Sequence, residues 1–387
     1  MQNILSFRPG VADSETAFEA MAQIYRYLER EFSYRFTVLT WPSDDYQDNQ
    51  LDVVTVPKHA VQSSRWNKAQ FLPSVKPGWM LSSRIKSYFS EADGVLTLDP
   101  TTFPQGHLAL QYAVESDIPV WFDAGRTTAR PLLGLKWKLR QRQLVQHLGD
   151  VAGIIVTSPK AIERFREIGL YNDRIASKFT VMGHPVDVDK FYPNETTGSE
   201  ADSIQIVSLG RLVPEKGVYY IFEALVPILD KRNDVKWTII GSGNMSSLLK
   251  QEAADRGVEE SIDFKSTVPH EQVPQILRNS DIYISHAVDI STWEEFFGVA
   301  NLEAMACGLP CVVTNSGSIP YVIREEGIAK MVSQRDTLAI RETITELIES
   351  SGQRERMGKR AKKFVEREYS VESIGEKFHM MLQRTLD

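Results

Sequence analysis

The stretch IQIVSLGRLVPEKG, residues 204–217, decides the reading of the fold. Its first six residues have the β-branched and apolar character of a strand buried on both faces, as strands of parallel sheets are. The strand ends at Gly210, and Arg211 and Lys216 follow in a loop leading to a helix expected from about Gly217. Ligands of open α/β sheets bind at the carboxyl ends of the strands, so both cations stand where an anion would be met. Arg grips phosphate oxygens through a planar fork and Lys adds a compact charge. Taken alone, two solvated loop cations would look the same.

The same alternation extends in both directions. Downstream, VKWTII, IDF, DIYIS, PCVVT and AKMV read as strands, with helices beginning near Gly217, Met245, Glu271, Asn301 and Thr337. Upstream, NILSF, FTVLTW, DVVTV, GVLTL, IPVWF and GIIVT read as strands, with helical spacing over residues 16–31 and 161–168. Strand-helix alternation implies parallel sheets. A length of 387 residues suits two such domains with a cleft between them. The polar run PNETTGSEADS, residues 193–203, is the expected linker, which puts domains at 1–195 and 196–368. The end of the chain is helical with a break around Tyr369 and Ser370, and is longer than the second alternation needs. Residues 369–387 are therefore expected to pack back on the first domain.

Composition narrows the class. With 42% hydrophobic and 25% charged residues the chain reads as a soluble globular protein. MQNILSF lacks the basic start of a signal peptide, and no run approaches the roughly 18 apolar residues of a membrane span, so the expected location is cytoplasmic. Cys307 and Cys311, four apart in an apolar stretch, read as small buried side chains.

A second cluster lies in EEFFGVANLEAMACG, residues 294–308. A loop through Phe296, Phe297 and Gly298 enters the helix expected from about Asn301, whose free amides and positive dipole end suit an anion. Glu295 precedes that turn and Glu303 lies inside the helix, with seven residues between them, so the two serve different ends. Gly241-Ser242-Gly243-Asn244 follows the strand VKWTII as a glycine loop.

Together and in this order, GRLVPEKG, IIGSGNM, EEFFGVANLEAMACGLPCVVT and GSIPYVI resemble the C-terminal domain of glycosyltransferase family 4. The resemblance implies a GT-B fold, with two facing Rossmann-like domains and the donor bound in the cleft between them. It implies retaining, metal-independent transfer from a UDP- or GDP-sugar, with no cofactor besides that donor. It also implies that Arg211 and Lys216 hold the diphosphate, Glu303 the ribose hydroxyls and Glu295 the transferred sugar. Gly210, Gly241, Ser242, Gly243 and Asn244 would lie under the nucleotide, Ser266, Thr267 and Val268 near the base, and the amides of Phe296, Phe297, Gly298 and Val299 against sugar and phosphate. Competing readings are a soluble disaccharide synthase or phosphorylase of the same fold, and a degenerate partner subunit.

The first half departs from the family's pattern. Its first loop has the single glycine Gly10 where many members carry two, and Asp123 stands where members often place a histidine near the reacting sugar. A long connection, His286 to Trp293, precedes Glu295, and Tyr321 replaces a usual glutamate. Asp187-Val188-Asp189 is too short a pattern to argue for a metal.

Although the net charge is −7, two segments lack acids, one between Asp52 and Glu91 and one between Asp123 and Asp150. Residues 58–86 and 126–142 carry Lys58, Arg65, Lys68, Lys76, Arg84, Lys86, Arg126, Arg130, Lys136, Lys138, Arg140 and Arg142, interleaved with Trp66, Trp79 and Trp137. That mixture suits an anionic membrane surface and a glycan or lipid-linked acceptor, placing the protein peripherally at the inner face. The overall acidity argues against nucleic acid.

Overall fold

The computed structural model describes residues 1–8, 15–41, 48–61, 76–125, 141, 144–194 and 203–386. Gly10, residues 62–75 of the first acid-free segment with Trp66, and residues 126–140, 142 and 143 of the second with Arg126 and Trp137 lie outside the described residues. The chain forms two compact units, Met1–Pro185 with Val371–Asp387, and Val186–Ser370.

The first unit is built on strands β1 (Gln2–Phe7), β2 (Tyr34–Thr40), β3 (Asp52–Thr55), β4 (Gly94–Leu98), β5 (Val120–Asp123), β6 (Gly153–Val156) and β7 (Phe179–Val181). They lie in the order β3-β2-β1-β4-β5-β6-β7, with each neighbouring pair parallel. Six of the seven coincide with the apolar runs read from the sequence. The seventh, β7, is three half-exposed residues, too short to leave a signal of its own.

The second unit holds β8 (Ile204–Leu209), β9 (Val235–Ile240), β10 (Ile262–Lys265), β11 (Ile282–Ile284), β12 (Cys311–Thr314) and β13 (Lys330–Val332). Their order, β10-β9-β8-β11-β12-β13, is the doubly wound Rossmann order, again with parallel neighbours. The chain reverses its direction of travel between β8 and β11, so the loops leaving those two strands diverge and open a crevice at the carboxyl edge.

The helix Ser351–Tyr369 ends at Ser370, and the helix Val371–Leu386 joins the first unit. There it packs on the helix Glu15–Glu31. His379 stacks on Phe32 at 3.8 Å between ring centroids and meets the Tyr34 hydroxyl through Nδ1 at 3.0 Å.

The units divide ten residues earlier than the polar run 193–203 suggests, because residues 186–194 are held by the second unit. The Val186 N–H donates to the Tyr369 carbonyl at 2.7 Å, and Asn194 Nδ2 donates to the Arg278 carbonyl at 3.0 Å. Composition marks where a chain is polar, whereas these hydrogen bonds decide which body it belongs to.

Candidate functional site

Lys216 closes the short turn Pro214–Lys216 after β8, and Glu295 lies in the connection from β11 to the helix Val299–Ala306. The reversal of strand order brings them together, with Lys216 Nζ 2.5 Å from Glu295 Oε2 and side chains 27% and 15% exposed. The Trp293 ring adds a cation–π contact, its centroid 5.0 Å from the same ammonium. Arg211 does not join this pair. Its guanidinium is exposed and lies 3.5 Å from Glu215.

Two backbone approaches hold this geometry. Gly217 has φ 62°, and a Cβ there would sit 1.8 Å from the His286 carbonyl oxygen, so a side chain is excluded by conformation and by space. The Val288 N–H donates to the Glu215 carbonyl at 2.8 Å, fastening the turn after β8 to the connection after β11.

That connection, which the sequence marks only as unusually long, is braced from below. The Asp289 carboxylate accepts from Ser316 Oγ at 2.5 Å and from Gln334 Nε2 at 3.0 Å. Ser316 Oγ in turn accepts the Glu295 N–H at 3.2 Å, and the Glu295 carbonyl accepts the Ser318 N–H at 2.8 Å. His286 Nε2 accepts the Arg335 N–H at 2.9 Å, and burial pushes its pKa down to about 4, so the ring is neutral. Glu295 is thus fixed through its own backbone as well as through Lys216.

The glycine loop forms at the carboxyl ends of β8, β9 and β10. The Gly210 N–H donates to Ile240 at 3.0 Å and the Leu212 N–H to Ser242 at 2.8 Å. A Cβ on Gly241 would meet the Gly210 carbonyl oxygen at 1.9 Å, so the two turns touch backbone to backbone. Ser242 and Thr267 share a hydrogen bond at 3.1 Å. Ser242, Gly243, Asn244, Ser266 and Thr267 are exposed on this edge and Val268 is half-buried.

Gly298 caps the helix Val299–Ala306, whose first-turn amides lack helical acceptors as at every helix start. The two phenylalanines before it part company. Phe297 is buried with its ring 5.6 Å from Tyr369, while Phe296 lies 6.4 Å from Trp293. Glu303, 8% exposed, takes a hydrogen bond from His270 Nε2 at 2.9 Å, and His270 Nδ1 lies 3.2 Å from Lys190 Nζ. Neither His270 nor Lys190 is singled out by spacing. Their sequence separations from their partners, 33 and 80, exceed anything a local pattern reports. Cys307 and Cys311 are buried free thiols, with burial pushing Cys307 up to about 12.

In the first unit Asp123 ends β5, and its Oδ2 lies 2.6 Å from Arg8 Nη1 just past β1. Arg8 is 7% exposed. Burial opposes its charge, yet Asp123 keeps its pKa above the ordinary value. Arg8 also donates to Ser6 Oγ at 3.2 Å. Burial lowers the His184 imidazole below its usual range, with the Asp123 carboxylate partly opposing that shift. Asp123 therefore has a cationic partner and a neutral imidazole near it, both from elements distant in sequence.

Among the described residues no group of three or more His, Cys, Asp or Glu side chains is placed to hold a metal ion. A cavity of about 420 Å³ lined by Lys330, Gln353, Arg356 and Arg360 opens at the start of β13, the edge opposite these loops.

Residues 194–364 match the family described as glycosyl transferases group 1. The chain is 26% identical over 325 residues to a Corynebacterium glutamicum GDP-mannose-dependent monoacylated alpha-(1-6)-phosphatidylinositol monomannoside mannosyltransferase, covering 75% of this chain and 82% of that one. It is 28% identical to a Mycolicibacterium smegmatis GDP-mannose-dependent alpha-(1-6)-phosphatidylinositol monomannoside mannosyltransferase over 54% of this chain and 56% of the relative. The match thus spans only about half of that second relative. Among solved structures, a glycosyltransferase from Rickettsia africae superposes with a TM-score of 0.76 at 16% identity, covering 100% of this chain and 99% of the other. Anabaena HepE in complex with UDP and glucose does so with 0.72 at 14%, covering 98% and 99%. At these identities the structures establish the shared GT-B fold.

Proposed function

Because residues 194–364 match the family of glycosyl transferases group 1, we propose that this chain moves a sugar from a nucleoside-diphosphate sugar to an acceptor hydroxyl with retention of anomeric configuration. The observation that carries this reading is the Lys216–Glu295 pair at the topological switch of the second sheet, beside a capped helix start. A leaving diphosphate needs positive charge where its own charge develops, and Lys216, Arg211 and the amides at Val299 supply it without a metal. Glu295, held by Ser316 and Ser318 through its backbone, meets the sugar. Glu303 takes the ribose, and the loops at Ser242 to Asn244 and Ser266 to Val268 frame the nucleotide.

In the reaction the acceptor oxygen bonds to the anomeric carbon on the face from which the diphosphate departs. The electron pair of the broken bond goes to the diphosphate, whose phosphate oxygen takes the acceptor's proton. Asp123 lies on the acceptor side in this reading, its charge balanced by Arg8.

The donor is a GDP- or UDP-sugar, with GDP-mannose the first to test because the two named relatives depend on it. A lipid-linked acceptor at an anionic membrane accords with the basic, tryptophan-bearing segments 58–86 and 126–142, of which Trp79 is 65% exposed. No described helix is long and apolar enough to cross a membrane, and the attachment in this reading is peripheral, through those basic segments.

The test is incubation with GDP-mannose or UDP-glucose in EDTA, with phosphatidylinositol-containing liposomes as acceptor. An α-linked product from an α-linked donor is expected, together with pelleting on anionic liposomes. Absence of both transfer and donor hydrolysis would overturn the enzymatic reading, and a β-linked product the retaining one.

A further inference from the structure

Lys190, His270 and Glu303 form a hydrogen-bonded line with a definite direction. An ammonium can only donate, so the Nδ1 of His270 facing Lys190 Nζ at 3.2 Å must accept. A neutral imidazole with an accepting Nδ1 carries its proton on Nε2, which then donates to Glu303 Oε1 at 2.9 Å. A doubly protonated ring would set an N–H against the ammonium. The tautomer is therefore dictated by Lys190.

Lys190 is itself held in place. Its N–H donates to Asp187 Oδ1 at 3.1 Å and its carbonyl accepts from Arg278 Nη1 at 3.2 Å. The Phe191 ring, 5.5 Å from the imidazole centroid, flanks His270 on one side. Glu303 lies on the helix Val299–Ala306 with its side chain 10% exposed. One of its oxygens is occupied by His270, which sets the plane of the carboxylate.

We propose that His270, oriented by Lys190, is a positioning residue that presents the Glu303 carboxylate to the vicinal hydroxyls of the donor's ribose, so that these two residues set the preference for ribose over deoxyribose. The inference rests on Glu303 holding the ribose. A carboxylate whose plane is fixed can accept from ligand hydroxyls without first losing rotamer freedom, whereas an unbraced one must be ordered on binding.

The test is calorimetric binding of GDP, or of UDP if GDP does not bind, against the matching 2′,3′-dideoxy nucleotide. Wild type should prefer the ribonucleotide by about 10-fold or more, the scale of a hydrogen bond to a charged group. Lys190→Met and His270→Phe should shrink that ratio to about 3-fold or less with dideoxynucleotide affinity unchanged, while His270→Gln, which can both accept and donate, restores part of it. A structural role alone would weaken both ligands equally, and that result, or an unchanged ratio, overturns the proposal. Glu303→Ala separates the two ideas. If its ratio stays at the wild-type value, or if neither ribonucleotide binds wild type, the ribose assignment fails. If Glu303→Ala collapses the ratio while the His270 and Lys190 variants keep it, only the relay fails.

Discussion

Lys216 Nζ and Glu295 Oε2 stand 2.5 Å apart although 79 residues separate them, joined because the strands they follow, β8 and β11, are neighbours in the sheet. The pair keeps an ammonium next to a carboxylate at the crevice edge, where an incoming diphosphate would compete for the same positive charge.

Removing the cation should therefore act on turnover. Lys216→Ala is expected to lower kcat by about 10²-fold or more, the scale of losing one preorganised charge contact in a transition state. Glu295→Gln should cripple transfer while nucleoside diphosphate affinity stays within about 3-fold, since the carboxylate is assigned to the sugar; that tolerance corresponds to about 0.65 kcal/mol. Steady-state kinetics with calorimetric diphosphate binding checks both, and an unchanged kcat in Lys216→Ala would remove its role.

The brace beneath Glu295 should matter without touching substrate. Ser316→Ala deletes the hydroxyl that links the Asp289 carboxylate to the Glu295 N–H. About a 10-fold loss of kcat/KM is expected, on the scale of one hydrogen bond to a charged group. Limited proteolysis should show faster cleavage within residues 286–294. Wild-type kinetics in this variant would mean that the turn at Glu295 is held by other contacts.

Gly217 is a steric prediction. With φ 62° and the His286 carbonyl oxygen 1.8 Å from any added Cβ, Gly217→Ala should cost at least about 2 kcal/mol. For a unit of this size that lowers Tm by roughly 4–8 °C. A melting curve that matches wild type would show that the turn after β8 can shift without cost.

His286 supplies a pH dependence. Its folded pKa of about 4 lies below the ordinary 6.5, so the unfolded chain binds the proton more readily. The stability that this neutral ring contributes is complete above pH 6.5, falls as pH drops from about 6.5 towards 4, and changes no further below that. The full loss is about 3 kcal/mol. His286→Gln, which keeps an acceptor for the Arg335 N–H, should flatten that part of a urea-midpoint profile relative to wild type. Parallel profiles would assign the pH dependence to other groups.

The Arg8–Asp123 pair tests the first unit. Asp123→Ala leaves the Arg8 guanidinium, 7% exposed, without its carboxylate and should destabilise by about 3–5 kcal/mol. Arg8→Met with Asp123→Ala should recover part of that loss, because the cost is the unpaired charge. Thermal unfolding of the three proteins decides it, and a stable single variant would show that Arg8 finds another partner.

The alternation of apolar runs and helical spacing was enough to read both parallel sheets, because a strand buried on two faces must be apolar along its length. The order of the motifs from Gly210 to Glu303 was enough to place the loops on the correct edge, since a loop's side of a parallel sheet follows from chain direction. The strand Phe179–Val181 was not legible, being half-exposed and three residues long. Nor was the body to which residues 186–194 belong, because polarity does not distinguish a linker from a polar segment held by hydrogen bonds.

By itself, then, the sequence determined the fold class, carried by local periodicity, and offered Arg211, Lys216, Glu295 and Glu303 as candidates through the order of motifs that resembles a family pattern. Only the tertiary structure decided the partners. Lys216 sits on Glu295 while Arg211 sits on Glu215, Glu303 is met by His270, which is met in turn by Lys190, and Asp123 is met by Arg8. Apart from the local Arg211–Glu215 pair, each of these contacts is made by elements distant along the chain. Such contacts depend on which strands become neighbours and how closely two backbones approach, and those are settled by packing rather than by any local run of residues.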